Sequence, residues 1–428
     1  VPATPMDESG ANLDYRAIDS FYDYPRVQGL AEMMNSYGVI HNDAEVVSKI
    51  VASQAHHKKI DGHAPGLQGK DLDTYVAAGV YSDHECATME DALAKLQRGQ
   101  FIMIREGTAA RNLEALAPLL TPQYAERCMF CTDDKHPSDL LEKGHIDYIA
   151  REAINKYGVD PIIAVKAACH HASRYFLLNN RGAIAPGYLA DFAVIDNFKD
   201  FNVEMVFKKG ILYWNNGELR DFEAPKIEEY LDKRAHDTFH VSTLTPDDFR
   251  DTRQRGVLGM VPGEIITTDN GYADHVDLEK DILKIAVVER HKGTHHIGLG
   301  YIQGYGLKSG AVATSISHDS HNIIVVGTNS ADMAFAANYI VEHHGGIVVV
   351  ENGTVKGDVV LEIAGIMSDR PLTEVNDQLE AAKDAAFTLG VSRGIDPFMT
   401  LSFMALPVIP KLRITTRGVI DVDTQQYV

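Results

Sequence analysis

A chain of 428 residues can hold two or three domains with sizeable cores, and 45% hydrophobic with 23% charged residues is an ordinary balance for a soluble globular protein. Its 40 Lys+Arg against 60 Asp+Glu give a formal charge of −20, a field that repels nucleic acid and anionic membrane surfaces, so neither is expected as a partner. No apolar run reaches the roughly 18 residues of a membrane span, VPATPMDESGANLDY has neither the basic nor the apolar region of a signal peptide, and the four cysteines (86, 128, 131 and 169) point to a reducing cytoplasm rather than a disulfide framework.

Residues 1–180 alternate apolar runs with helical patterns. The first run is short, Val27 to Ala31, and ends at Glu32. Asp43 to Ala55 reads as a helix with Val46, Val47, Ile50 and Val51 on one stripe. Lys59-Ile60-Asp61 leads into His63, and Ala78-Gly79-Val80-Tyr81 leads into Ser82-Asp83-His84-Glu85, with a helix between them whose Leu72, Tyr75, Val76 and Gly79 share a face. That predicts strand, loop, helix, strand, loop, with the two histidines 21 residues apart, as in one β/α repeat. Thr88 caps the next helix and Gly99 closes it. Phe101–Ile104 and Cys128–Cys131 are buried-strand runs ending at Arg105-Glu106-Gly107 and Thr132-Asp133-Asp134. Ile146, Ile149, Ala150, Ala153 and Ile154 mark an amphipathic helix, and Asp160-Pro161 opens another. Repeated βα units imply a parallel sheet or barrel.

The texture changes at 181–215, which predicts short strands with a hairpin at Lys208-Lys209-Gly210. Residues 216–255 are charged and poorly periodic and read as a linker. A second α/β region covers 256–428, with strands at Ile282–Val288, Ile323–Val326 and Ile347–Val350, an Asn352-Gly353 turn, and helices at Ala331–His343 and Thr373–Leu389.

Four strand-end clusters carry the chemistry: Glu32, His63, His84 and Asp133. Neutral imidazoles and carboxylates are ligands for Zn, Mn or Fe. Strand carboxyl ends are where a parallel α/β barrel places catalytic groups. A single strand-end histidine is more often a capping or packing residue, and Asp after Thr is often an N-cap. The four together argue for a metal site that polarises water, with a neighbouring carboxylate moving protons.

HAPGLQGKDLDTYVAAG, SDHE, IREGTAARNLEAL, TDDKHPSDLLEKGHID and RGAIAPGYLADFAVID, in this order, resemble the adenine deaminase family of the amidohydrolase superfamily, and the similarity continues through IGLGYIQGYGLKSGAVATSISHDSHNIIVVGT and DPFMTLSFMALPVIP. The resemblance implies an α/β fold: a (β/α)8 TIM-type barrel over 1–180, a remnant of a composite β-sandwich over 181–215, and the family's C-terminal α/β domain over 256–428. It implies a cytoplasmic, homo-oligomeric enzyme that converts adenine and water to hypoxanthine and ammonia with Mn2+ or Fe2+. Carried over, Glu32 matches the bridging carboxylate and His63 and His84 the metal ligands. Asp133 matches the carboxylate that binds metal and handles the proton. Glu85 is a second proton carrier, with a plain loop carboxylate as its alternative. Arg105 and Glu106 contact the purine or brace the ligands. His318, Asp319 and His321 enclose substrate, or form a hydrogen-bonded turn.

The family's first-strand His-x-His is absent among the 19 histidines, and the chain does not start on Met. The expectation is a barrel lacking its N-terminal portion, with a binuclear site that is incomplete. Two alternatives follow: a catalytically incomplete remnant, or another amidohydrolase acting on a cyclic amide, many of which bridge their metals with a modified lysine. Cys128-x-x-Cys131 has no second pair and reads as packing.

Overall fold

The computed structural model describes residues 4–261 and 264–428. In its first half, the βα alternation takes shape as five short strands in two parallel sheets. β1 (Gly29–Met33) pairs with β2 (Lys59–Gly62), and β3 (Ser82–Asp83), β4 (Phe101–Arg105) and β5 (Cys128–Cys131) pair in that order. The Tyr81 N–H donates to the Ile60 carbonyl at 2.9 Å, and the Phe101 N–H to the Tyr81 carbonyl at 2.8 Å, so β2, β3 and β4 follow one another.

The intervening helices begin where capping chemistry puts them. Asp43 accepts from the N–H groups of Glu45 and Val46, Thr88 from Asp91, and Asp160 from Ile162 and Ile163. Ile102, Ile104, Leu116, Ile149 and Ala164 are fully buried together and form the core behind β3–β5. The helix before His84 spans Gly69–Ala77 and buries Leu72 and Tyr75. Gly79 is not on that helix face, because at φ +99 it ends the helix. The strand that follows is therefore only Ser82–Asp83, shorter than the run Ala78–Tyr81 suggests.

Contact patterns divide the chain into two compact units, Leu13–Pro225 and a second built from the segment ending at Asn12 with Lys226–Val428. The first unit also holds a four-stranded antiparallel sheet, Phe192–Ile195, Val203–Lys208, Ile211–Asn215 and Glu218–Leu219, none of whose residues is fully buried. Its hairpin turns at Lys209 and Gly210, both at positive φ.

The second unit centres on an eight-stranded sheet, in spatial order Thr267–Ala273, Arg255–Met260, Ile297–Gln303, Ile282–Val288, Ile323–Gly327, Ala311–Thr314, Gly346–Glu351 and Thr354–Val360. All neighbours are antiparallel except Arg255–Met260 with Ile297–Gln303. Alternation sorts the side chains: Ile285, Val326 and Val349 join the core under helix Leu372–Thr388, while Ala286, Val325 and Val348 join the core under helix Ser330–Glu342. Among the described residues no helix is long and apolar enough to cross a membrane.

Two boundaries differ from the sequence pattern. The first described residues, grouped above with 1–180, belong to the second unit, where the Glu8 carboxylate accepts from Thr416 and Arg417 and its carbonyl from Asn322. The charged stretch 216–255 is not all linker. Leu244 and Phe249 bury in the core beside helix Ser330–Glu342, and Thr245 with Asp248 forms a capping box for the turn between them. Two apolar anchors there outweigh the surrounding charge.

One glycine governs how closely β2 and β3 approach. A Cβ on Gly62 would fall 2.1 Å from the Ser82 carbonyl oxygen and 2.7 Å from Val80. Gly62→Ala is expected to destabilise the chain by about 1–3 kcal/mol through overpacking. Chemical denaturation followed by circular dichroism checks it, and an unchanged midpoint would show that the strands can separate freely.

Candidate active site

The carboxyl ends of the five strands deliver one cluster. Glu32 lies on β1, His63 follows β2, His84 and Glu85 follow β3, Arg105 ends β4, and Asp133 follows β5. His84 Nε2 is 2.9 Å from Glu32 Oε2, 3.3 Å from Glu85 Oε1 and 3.9 Å from Asp133 Oδ2. His63 Nδ1 lies 3.4 Å from Glu32 and 3.6 Å from Glu85. Glu32, His63 and His84 each bring a ligand atom within 4.8 Å of the others, and so do His84, Glu85 and Asp133.

His63 is the most informative member. It is buried, its carboxylate neighbours stand in ion-pair range at 3.4 and 3.6 Å, and neither ring nitrogen makes a hydrogen bond among the described residues. A buried imidazole without partners is costly, and a cation accepting its lone pair would satisfy it. The donor set of imidazoles and carboxylates fits a divalent metal.

Electrostatics point the same way. Burial alone would raise the Glu32 and Glu85 carboxyls, but the imidazoles overcome it. His63 and His84 hold Glu32 far below the usual carboxylate range, and His84, His63 and Arg105 bring Glu85 to about 2. Burial alone would lower His84, yet Glu32 and Glu85 raise it well above the ordinary histidine value.

Arg105 sits between the carboxylates of Glu85 and Asp133. Its guanidinium donates to Glu85 through both Nη atoms, to Asp133 Oδ2 at 2.7 Å, and through Nε to Asn112 Oδ1 at 2.9 Å. With these four hydrogen bonds made, most of its five N–H donors are engaged, which is a bracing arrangement. Glu106 turns aside, and its carboxylate accepts from the Leu113 N–H at the start of helix Leu113–Leu116.

Asp133 stands at φ +57, a left-handed conformation that costs a non-glycine residue about 1–2 kcal/mol. The loop after β4 holds it there. The Thr108 N–H donates to the Asp134 carbonyl at 2.9 Å, and Thr108 Oγ1 accepts from the His136 N–H at 2.9 Å. Gly107 packs so tightly that a Cβ would sit 2.5 Å from the Thr132 carbonyl.

His318, Asp319 and His321 belong to the other compact unit. There His318 stacks on Phe403 with ring centroids 4.7 Å apart, His321 Nδ1 accepts from the Ser317 N–H at 3.3 Å, and the His321 carbonyl accepts from Arg290 Nε at 2.5 Å. These contacts fix the backbone of the turn within its own unit.

Supporting residues went unseen in the sequence. Tyr75, on the predicted apolar face, is fully buried, and its hydroxyl donates to the Met33 carbonyl at 2.6 Å and accepts from the His63 N–H at 2.9 Å. Asn112, Gly107 and Thr108 lie in the IREGTAARN string, whose only local signal is its place after a strand.

The raised His84 basicity has a consequence for metal uptake. At neutral pH the metal-free protein keeps a proton on His84, and a ligand must be deprotonated to bind. Mn2+ affinity is therefore expected to rise with pH between about 6 and 8, with about one proton released per site. Calorimetry in buffers of different ionisation heat measures both, and a flat affinity over that window would remove His84 from the ligand set.

Comparison with known proteins joins these features to a family. The amidohydrolase family model matches residues 26–212, the half that carries the cluster, and the model of the adenine deaminase C-terminal domain matches residues 264–426. The chain is 44% identical over 436 residues to the adenine deaminase of Desulfatibacillum aliphaticivorans, covering 100% of this chain and 76% of that one. It is 44% identical over 441 residues to the adenine deaminase of Nitratidesulfovibrio vulgaris strain DP4, covering 100% and 75%. Among solved structures, an adenosine deaminase from Xanthomonas campestris aligns at TM-score 0.37 and 13% identity over 49% of this chain and 56% of that one. With one match lying over the site and the other over the second unit, and with identity running through the whole chain, this protein belongs to the adenine deaminase family.

Proposed function

We propose that the chain catalyses the hydrolytic deamination of adenine to hypoxanthine and ammonia, a purine salvage step. The observation that carries this reading is the convergence of Glu32, His84, Glu85 and Asp133 around the buried His63 imidazole, which makes no hydrogen bond among the described residues. The amidohydrolase family is metal-dependent, and the strand-end residues form candidate metal-binding groups. In this reading β1 to β5 are consecutive strands of a (β/α)8 barrel, and the sheet over 192–219 belongs to a β-sandwich.

Glu32, His63, His84 and Asp133 would hold the metal, for which we propose Mn2+ or Fe2+, as the family resemblance implies, and imidazole and carboxylate donors suit either ion. The cation supplies Lewis acidity that makes water acidic near neutral pH. Asp133 takes the proton of the attacking water and returns it to the departing amine. Arg105 bridges Asp133 and Glu85 and helps keep Glu85 ionised. Glu85, held at about 2, is set to accept a proton before it donates one. That makes it a shuttle toward the purine ring nitrogen rather than a resident acid.

The test is adenine-dependent ammonia release by the 428-residue chain supplied with Mn2+, with metal content measured alongside. Turnover on adenine above that on adenosine or guanine supports the proposal. Because the 428 residues contain no His-x-His, metal uptake without turnover would favour the catalytically incomplete alternative. In an active preparation, Asp133→Asn is expected to lower kcat by about 10²–10⁴-fold while KM changes little, the effect of removing a positioned proton carrier. Unchanged kcat would take Asp133 out of the chemistry.

A further inference from the structure

Beneath the two histidines lies a second charged cluster that the chemistry does not use. Lys95, on helix Met89–Gln97, has 0% of its surface exposed. Its ammonium donates to the Ala64 carbonyl at 2.8 Å, to Asp83 Oδ2 at 2.9 Å and to Asp91 Oδ2 at 3.0 Å. An ammonium has three N–H donors, and all three are engaged. Asp83 is likewise 0% exposed. Its Oδ1 accepts from the Ala64 N–H at 2.8 Å, and its Oδ2 accepts from the Glu85 N–H at 3.0 Å and from the Cys86 thiol at 3.1 Å.

The connectivity is specific. Ala64 follows His63, and its peptide groups are held on both sides, the N–H by Asp83 and the carbonyl by Lys95. Asp83 precedes His84, and its carboxylate also ties down the amide of Glu85. Asp83, Cys86 and Asp91 have the spacing of a cation site, and the Lys95 ammonium is the cation bonded to both carboxylates. This cluster is therefore not a second metal centre.

We propose that Lys95, acting through Asp83, is a positioning residue that fastens the strand end bearing His63 to the strand end bearing His84. The inference rests on the reading of those histidines as metal ligands. Partners that orient ligands without touching the metal typically set its affinity by about 10–100-fold. Lys95 reaches the ligands only through backbone, so its contribution is to their spacing.

The test compares the full chain with three variants. Lys95→Met removes the ammonium but strands the buried carboxylates of Asp83 and Asp91. The double substitution Asp83→Asn with Lys95→Met removes two of the three charges together and leaves Asp91, whose burial favours the neutral acid once the ammonium is gone, and circular dichroism shows that it folds before it is read. Leu116→Ala, in the core behind the sheet and outside the cluster, shows what a plain loss of packing does. Two readouts are taken: amide hydrogen exchange of residues 62–66 and 82–87 without metal, and Mn2+ affinity by titration. The proposal expects faster exchange confined to those two segments and Mn2+ binding weakened about tenfold or more in the double variant, with neither change in Leu116→Ala. Wild-type exchange in the double variant, or Mn2+ affinity within about twofold of wild type, would overturn it. If the wild-type chain itself takes up no Mn2+, the metal-centre reading fails, and the exchange data decide whether Lys95 fastens the strand ends.

Discussion

Everything at the carboxyl edge of the five strands answers to one constraint, the crowding of three carboxylates, Glu85 buried and Glu32 and Asp133 exposed, around one imidazole. Glu32, Glu85 and Asp133 all approach His84 within 4 Å. Glu85 and Asp133 bring oxygens within 4.8 Å of each other, and like charges that close repel. The chain meets this with a guanidinium bridging Glu85 and Asp133 and with an imidazole basic enough to stay protonated. The arrangement is short of positive charge, and a divalent cation would relieve it.

Holding such a cluster requires strands that approach closely and cannot slide. Gly62 lets β2 meet the Ser82 backbone. The Tyr75 hydroxyl joins the end of β1 to the amide of His63. Buried Gln100 donates from Nε2 to the carbonyls of Val80 and Ser82, each at 3.2 Å, and so secures the approach to β3 although that strand is only two residues long. Side-chain hydrogen bonds to backbone replace the ladder that a longer strand would provide. Each lies one or two residues from a group in the site.

The elements and the main site residues were legible because both follow short-range rules. Helix starts follow from Asp43, Thr88 and Asp160, and strand ends follow from the switch between apolar runs and polar clusters. The supporting charges were not legible. Asp91 and Lys95 stand four apart on a helix, which reads as an exposed pair, yet both are buried because the loops of His63 and His84 close over them. Arg105 reads as a purine contact or a brace, and its hydrogen bonds to Glu85, Asp133 and Asn112 come from strands and loops too far apart in the chain to be read there. Leu244 and Phe249 lie in a stretch too polar to suggest a core, and their burial depends on a helix some 80 residues later.

The two histidine motifs differ in how their rings are held. His63 is buried and His321 half-buried, both stand beside acidic residues, and both follow strand-like runs. His321 is satisfied by its own surroundings: its ring accepts a backbone N–H, and its carbonyl is held by Arg290, whose Nη groups also donate to the Thr238 and Ala364 carbonyls. Burial moves its ring down to about 4, so it stays neutral. His63 is oriented through its backbone by the Tyr75 hydroxyl, while its ring nitrogens face carboxylates and bond to none. Folding that fixes a polar ring without satisfying it leaves its bonding capacity for something the chain does not supply. That difference lies in the unmet valence of the imidazole rather than in its sequence context.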